Sequence, residues 1–385
     1  MAQTPTPEPP PKETTLEPPP PSDEQQGGLQ LDQPELGAPP APSAAGGTGG
    51  TGSLVFGGTL DYRFLFPKEM PSGMYMIHVN ELFFTTNIGD YISILAEQLL
   101  LTSDVGTVVG QDHGFVYATF SNLPWLADGM AFRIGRMRLR YGVDAKLDAP
   151  ANPLRTTEYR TIGILSDRAI EVAGFLGPIE LVGAVAMGPD FVLRDVVGLD
   201  GQIAATVKTP QDSSFHPFYV RLGTDFKGNL PNWGLSGFYG DAYPVLAADG
   251  FQAGDAMLFG GFYEQHRIIR KERVSLDGRW NYRKLKFSGE YTIGKDRDEG
   301  QTFVVQAWYF RTDWTIRPQK LTAQLQYDWF TDGRPDTPRI GAMGAAMTYN
   351  LTDESWLRVF FQGNQRLVVG EDVAWVAGSQ ILMAF

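Results

Sequence analysis

From Leu54 onward the chain is written in a two-residue period. Lys320, Thr322, Gln324, Gln326 and Asp328 occupy one phase, and Leu321, Ala323, Leu325, Tyr327 and Trp329 the other. Successive side chains of an extended strand leave opposite faces, so each face meets a different environment. The same rule sets Arg273, Ser275, Asp277, Arg279 and Asn281 against Val274, Leu276, Gly278, Trp280 and Tyr282. It also sets Lys286, Ser288, Glu290 and Thr292 against Leu285, Phe287, Gly289, Tyr291 and Ile293. At the C-terminus Trp375, Ala377, Ile381, Met383 and Phe385 share one phase, and Ala374, Gly378, Gln380 and Ala384 the other. Trp, Tyr and Phe gather on the apolar phase near strand ends, where aromatic girdles meet the interfaces of a membrane.

Strands that face hydrocarbon must pair every backbone N–H and C=O, and only a closed barrel does so without edges. The pattern therefore predicts an all-β fold: a transmembrane antiparallel β-barrel of sixteen to eighteen strands over residues 54–385, behind a disordered N-terminal tail. Eighteen candidate runs follow Leu54, the weakest being Gln202–Thr209, and sixteen remain if two of them are loops. Short turns such as Arg283-Lys284 and Gly177-Pro178 alternate with longer connections such as Thr331–Pro338 and Val368–Asp372. Bacterial barrels keep short turns on the periplasmic side, which places both termini there. The aromatic-ended last strand, with Trp375, Ile381, Met383 and Phe385, reads as the signal for the barrel assembly machinery.

Composition narrows the class. No run of about 18 apolar residues exists, so helical spans are excluded, and a barrel reads as half polar in any hydropathy window. The absence of cysteine removes disulfides, thiolate metal sites and covalently attached haem. A net charge of −12 argues against nucleic acid. Residues 1–53 hold 13 of the 27 prolines, seven acids and one lysine, with Pro18-Pro19-Pro20-Pro21 and Gly46-Gly47-Thr48-Gly49-Gly50. Such a segment cannot bury a core; it reads as an extended, disordered periplasmic tail, or as a tether for a periplasmic partner. A folded plug fits it least. Met1 runs into proline without an apolar export signal, so the chain is expected to begin near a mature N-terminus.

The long interruption, Arg140 to Arg168, follows an ascending strand and counts as an external loop; loops of that length are usually functional. Phe132 and Ile134 hold one phase, and Met137, Leu139 and Tyr141 the other, so Gly135 is expected to mark a bulge. Beyond that slip Arg136, Arg138 and Arg140 would point inward together. A row of guanidinium groups in a narrow lumen concentrates anions and repels cations. The competing role is bracing, by pairing with Asp144, Asp148 or Glu158 of an inward-folded loop. Arg273 and Arg279 join the inward set, partly offset by Glu81, Glu97, Asp277, Glu290 and Asp328. Arg267, Arg270 and Lys271 fall at the external mouth, either steering anions or binding lipopolysaccharide phosphates.

The stretch Ile134-Gly135-Arg136-Met137-Arg138-Leu139-Arg140-Tyr141-Gly142, with Asn152-Pro153-Leu154, Arg168-Ala169-Ile170-Glu171-Val172-Ala173-Gly174 and Ala184–Pro189, resembles the phosphate-selective porin O/P family. The likeness spans roughly a third of the barrel. It implies a homotrimeric, general or anion-preferring porin of sixteen strands whose constriction is an inward-folded loop. Phosphate specificity does not carry over, because no full ladder of basic residues matches.

His78, His113, His216 and His266 lack ligand spacing, and no nucleophile, base and orienting group fall together, so neither a metal, a cofactor nor an enzyme is expected. The sequence therefore points to a water-filled channel in the outer membrane of a Gram-negative bacterium, in contact with outer-membrane lipid and lipopolysaccharide. It would pass small hydrophilic solutes passively, with a mild anion preference. The alternative is a structural sleeve or anchor for a partner such as a multihaem cytochrome or an envelope complex.

Overall fold

A computed structural model describes residues 54–67, 75–103, 110–124, 126–127, 129–142, 166–187, 195–197, 203–206, 216–226, 228–242, 269–331, 333–335, 340–352, 355–366 and 374–384. The tail, residues 1–53, lies outside them. In chain order the strands are β1 (Leu54–Pro67), β2 (Tyr75–Ile88), β3 (Ile92–Ser103), β4 (Gly110–Ser121), β5 (Met130–Arg138), β6 (Ser166–Leu176), β7 (Ile179–Ala186), β8 (Asp195–Val197), β9 (Ile203–Thr206), β10 (Phe218–Thr224), β11 (Asn232–Ala242), β12 (Ile269–Tyr282), β13 (Leu285–Asp298), β14 (Gln301–Arg317), β15 (Leu321–Thr331), β16 (Ile340–Asn350), β17 (Ser355–Arg366) and β18 (Ala374–Ala384). Sixteen close into one antiparallel barrel, while β8 and β9 pair only with each other. The weak run at 202–209 thus supplies half of a small hairpin between β7 and β10, which removes the eighteen-strand option.

Inward and outward faces follow the alternation of the sequence. On β12, Arg273 and Ser275 are 2% and 0% exposed, whereas Val274 and Leu276 between them are 52% and 58% exposed. On β13 and β15 the buried positions are Ser288, Glu290, Thr292, Asp296, Asp298, Gln324, Gln326 and Asp328, all polar, with Phe330 as the apolar exception. An apolar outer face over a polar inner one inverts the usual globular arrangement, and it suits a wall between lipid and water. Aromatic side chains band the outside near the short turns: Trp280 stacks on Phe287 at 5.8 Å, and its indole N–H donates to the Asn229 carbonyl at 3.0 Å.

The barrel closes where its first strand meets its last, in a ladder from Thr59↔Ala384 to Pro67↔Val376. Proline is tolerated there because it ends the strand and interrupts no interior ladder. Inside the seam Arg63 pairs with Asp61 at 2.6 Å, and Gln380 Nε2 donates to the same Asp61 Oδ2 at 2.8 Å. The three longest connections, 139–165, 187–217 and 243–268, lie at one end, and the two-residue turns at 177–178 and 283–284 at the other. Leu54 and Ala384 both belong to the short-turn end.

Candidate constriction site

The long connection begins one residue earlier than the alternation suggested and ends three earlier: β5 stops at Arg138 and β6 starts at Ser166, so Arg168 lies within a strand. The expected bulge at Gly135 is absent. β5 pairs continuously with β4 and β6 through Gly135, which sits opposite Tyr117 and Ala169. Glycine is needed there for close approach: its φ is +135°, and a Cβ would stand 2.3 Å from the Val116 carbonyl oxygen.

Unbroken alternation reverses the expected directions of the arginines. Arg133 is buried inward, and Met137 follows it in the same phase at 0% exposure. Arg136 falls with exposed Ile134 in the outward phase, opposite Val116 on one side and Arg168 on the other, and Arg138 sits opposite Ser166 in that phase. Of the three, Arg140 alone, beyond the strand, is placed toward the lumen. The apolar phase of Met137, Leu139 and Tyr141 faces core inside the barrel, not lipid.

That core forms because the chain turns in as soon as β5 ends. Leu139 and Tyr141 pack on Ala173 of β6, Val182 and Ala184 of β7, Tyr219 of β10, and Phe238 and Ala242 of β11. Tyr141 meets Phe238 edge-on at 6.4 Å between centroids. Small side chains on the wall let the incoming backbone approach. Gly142 extends the crossing: its N–H donates to Ser236 Oγ on β11 at 3.1 Å, and its φ is +71°. A Cβ here would lie 2.1 Å from Glu290 Oε2 on β13, so the Glu290 carboxylate seats directly on the glycine. The chain thus spans the inner faces of β6 through β13 within four residues.

Electrostatics fix the anchor. Glu171, fully buried on β6, accepts from the Arg133 guanidinium and from the Tyr219 hydroxyl at 2.6 Å, with Arg140 Nε at 3.6 Å. One carboxylate therefore serves two guanidinium groups. Arg133 is engulfed, and the Arg140 side chain stays 39% exposed. Burial, with the field of Glu290, raises the Tyr141 hydroxyl well above the usual tyrosine range, so it stays neutral.

The remaining candidates are dispersed. Arg273 is inward but committed, pairing with Asp296 and donating to the Glu272 and Lys295 carbonyls, each at 2.9 Å. Arg279 is half-buried in the inward phase of β12, opposite Asn232 and Ser288. Arg270 and Lys271 lie in the strand itself: Arg270 pairs with Asp241 at 2.5 Å, and Lys271 is buried in the inward phase. Arg267, Asp144, Asp148, Glu158 and Phe385 fall outside the described residues. On β18, Ile381 and Met383 share the outward phase with the position of Trp375, while Gln380 and Leu382 are buried inward. Among the described residues no group of three or more metal-ligating side chains assembles.

Several important wall residues escaped the sequence reading. Glu171 and Arg133 stand directly opposite in the β5–β6 ladder, a pair visible only once that register is known. Arg221 bridges Glu180 at 2.9 Å, Ser236 at 3.1 Å and Asp277, which locks β7, β10, β11 and β12 together. It lies in a short strand, Phe218–Thr224, whose alternation spans few residues.

No family model and no curated protein matches the sequence. Solved structures do match the fold. The anion-selective porin from Comamonas acidovorans superposes with a TM-score of 0.57 at 13% identity, covering 87% of this chain and 100% of that one. The outer-membrane channel DcaP of Acinetobacter baumannii gives 0.58 at 10%, covering 88% and 99%. OmpT of Vibrio cholerae, in its trimer form, gives 0.56 at 9%, covering 87% and 100%. At such identities the likeness is one of fold, and that fold is the outer-membrane porin barrel.

Proposed function

We propose that this chain is an outer-membrane porin: a water-filled channel through which small hydrophilic solutes diffuse passively, with a mild preference for anions. The observation that carries this reading is the crossing at 139–142, where a polar-lined barrel is narrowed by its own chain and leaves a partly exposed guanidinium at the narrowing. Glu171 is shared between Arg133 and Arg140, and the exposed part of the Arg140 guanidinium presents its charge to the lumen, where a low-dielectric wall focuses it. The likeness in fold to an anion-selective porin supports the same sign. Homotrimeric assembly, by analogy with the trimer form of Vibrio cholerae OmpT, belongs to this proposal, as does insertion by the barrel assembly machinery through Ile381 and Met383 of the last strand.

The resemblance to the phosphate-selective porin O/P family is read as one of architecture, sixteen strands with an inward loop. Arg136, in the outward phase, is withdrawn from the inward row that would carry phosphate selectivity. A sleeve around a partner protein is disfavoured, since any occupant would share the lumen with the chain at 139–142.

Reconstitution into a planar bilayer tests the reading. Open conductance with an anion-leaning reversal potential is expected, and Arg140→Glu should move that potential toward cations while Arg136→Glu barely changes it. A barrel that folds yet never conducts would overturn the channel reading. An unchanged potential for Arg140→Glu would remove Arg140 from it.

A further inference from the structure

On the outer face of β12 and β13, toward the end that bears the long connections, the side chains change from apolar to charged at a single rung. In the outward phase β12 runs Trp280, Gly278, Leu276, Val274 and then Glu272 and Arg270, while β13 runs Phe287, Gly289, Tyr291, Ile293 and then Lys295 and Arg297. Val274 and Ile293, the last apolar pair, stand opposite each other at 52% and 40% exposure, and the next outward pair is Glu272 with Lys295. Lys295 lies ten residues beyond Leu285 at the short turn. At ~3.4 Å per residue and a tilt of roughly 45° that is a rise of about 25 Å, the height of the apolar band of an outer-membrane barrel. Tyr291 and Trp308, paired across β13 and β14 just below, supply the aromatic belt. The charged rung therefore sits at headgroup level in the external leaflet, outside the channel.

Arg297 stands opposite Arg270 in the ladder, an unfavourable facing of like charges unless each is held. Arg270 pairs with Asp241 at 2.5 Å and lies over the Tyr239 ring at 5.6 Å, and Arg297 Nη2 donates to Glu272 at 2.5 Å. The Glu272 contact orients Arg297 without covering it, since the Arg297 side chain stays 57% exposed. Its Nε and Nη1 have no acceptor among the described residues. Lys295, two positions away on the same face, is exposed and makes no ion pair among the described residues. An anion in the outer leaflet thus meets an ammonium and an open guanidinium fork about 7 Å apart along one strand.

We propose that Lys295 and Arg297, with Arg270 beside them, form a docking site on the outer wall for the phosphorylated headgroup of lipopolysaccharide. The guanidinium fork matches the oxygens of a phosphate, and the ammonium adds a second point charge. Position selects the ligand: the external leaflet of this membrane is the one made of lipopolysaccharide, and its acyl chains run down the apolar rows that end at Val274 and Ile293. The inference rests on the outer-membrane porin reading but uses nothing in the lumen.

Native mass spectrometry of the full chain in detergent, titrated with lipopolysaccharide, tests it, with single-channel conductance measured on the same samples. The native protein should retain the lipid, and should hold a preparation enzymatically stripped of its lipid A phosphates far less well. Lys295→Gln combined with Arg297→Gln should weaken retention of the phosphorylated lipid about tenfold or more, as expected for two cations at a charged membrane surface. Conductance should stay at the native value, which shows an intact barrel; if it is lost, Lys295→Gln alone repeats the test at a side chain with no contact to break. Lys284→Gln, at the opposite end, should change nothing. Equal retention by native and substituted protein, or of phosphorylated and stripped lipid, overturns the site. So does phosphatidylglycerol bound as tightly, or displacement of the lipid by inorganic phosphate alone. A protein that binds the lipid in this way yet never conducts sinks the channel reading and leaves the docking site standing.

Discussion

Two stretches of the same inner wall obey the same period and carry opposite chemistry. From β12 to β15 most inward positions are polar, among them Arg273, Ser275, Asp277, Ser288, Glu290, Thr292, Gln324, Gln326 and Asp328, linked laterally by pairs such as Gln326 to Asp328 at 2.7 Å, and Val305, Ala307 and Phe330 form the one small apolar cluster among the described residues there. From β5 to β11 the inward positions include Met137, Ala169, Ala173, Val182, Ala184, Tyr219 and Phe238, with Glu171 as the buried charge that ties Arg133, Arg140 and Tyr219 together. The first stretch is built for water and the second for a piece of its own backbone. In a barrel, an apolar phase therefore identifies a dry neighbour, which is lipid outside and can be folded-in chain inside.

The contrast can be broken at its strongest point by Glu171→Gln. This leaves the buried Arg133 without its carboxylate in a dry site, removes the partner of Arg140, and should cost about 3–5 kcal/mol, read as a lower melting temperature in detergent. Loss of the loop anchor should raise single-channel conductance in the same variant. A stability loss with unchanged conductance would separate the wall from the crossing. Gly142→Ala comes next: a left-handed backbone costs a residue with a Cβ roughly 1–2 kcal/mol, and the new methyl meets the Glu290 carboxylate. Wider or noisier channels are expected, with the barrel itself intact. Smallest is Gln326→Ala on the water-built stretch, which deletes the bond to Asp328, worth about 1 kcal/mol, and should leave conductance unaltered. A large effect there would mean that the two stretches do not differ as described.

Much of the architecture was legible because a barrel wall repeats one rule. The facing of β12, β13 and β15 follows from alternation alone, and so does the direction of Ile381 and Met383. The strand number was ambiguous because a hairpin outside the barrel, β8 with β9, obeys the same local preferences as a strand within it. At the constriction, the error had a physical cause. Met137, Leu139 and Tyr141 look like a lipid-facing row, and nothing local distinguishes hydrocarbon from a four-residue crossing that returns onto Ala173 and Ala184. Gly135 misled for a related reason, since glycine serves close approach as readily as it serves a bulge. Glu171 was invisible because its value depends on Arg133, Arg140 and Tyr219, which reach it from three other segments of the chain.

The bond from Gln380 to Asp61 joins positions 319 residues apart. Sheet construction from either end can therefore proceed strand by strand, but the ring shuts only when the last segment has been delivered. A polypeptide ending short of residue 374 would yield no smaller pore. It would be a curled ribbon with two raw edges, each hungry for hydrogen bonds and open to proteolysis, so completeness of synthesis is checked by geometry before any solute passes.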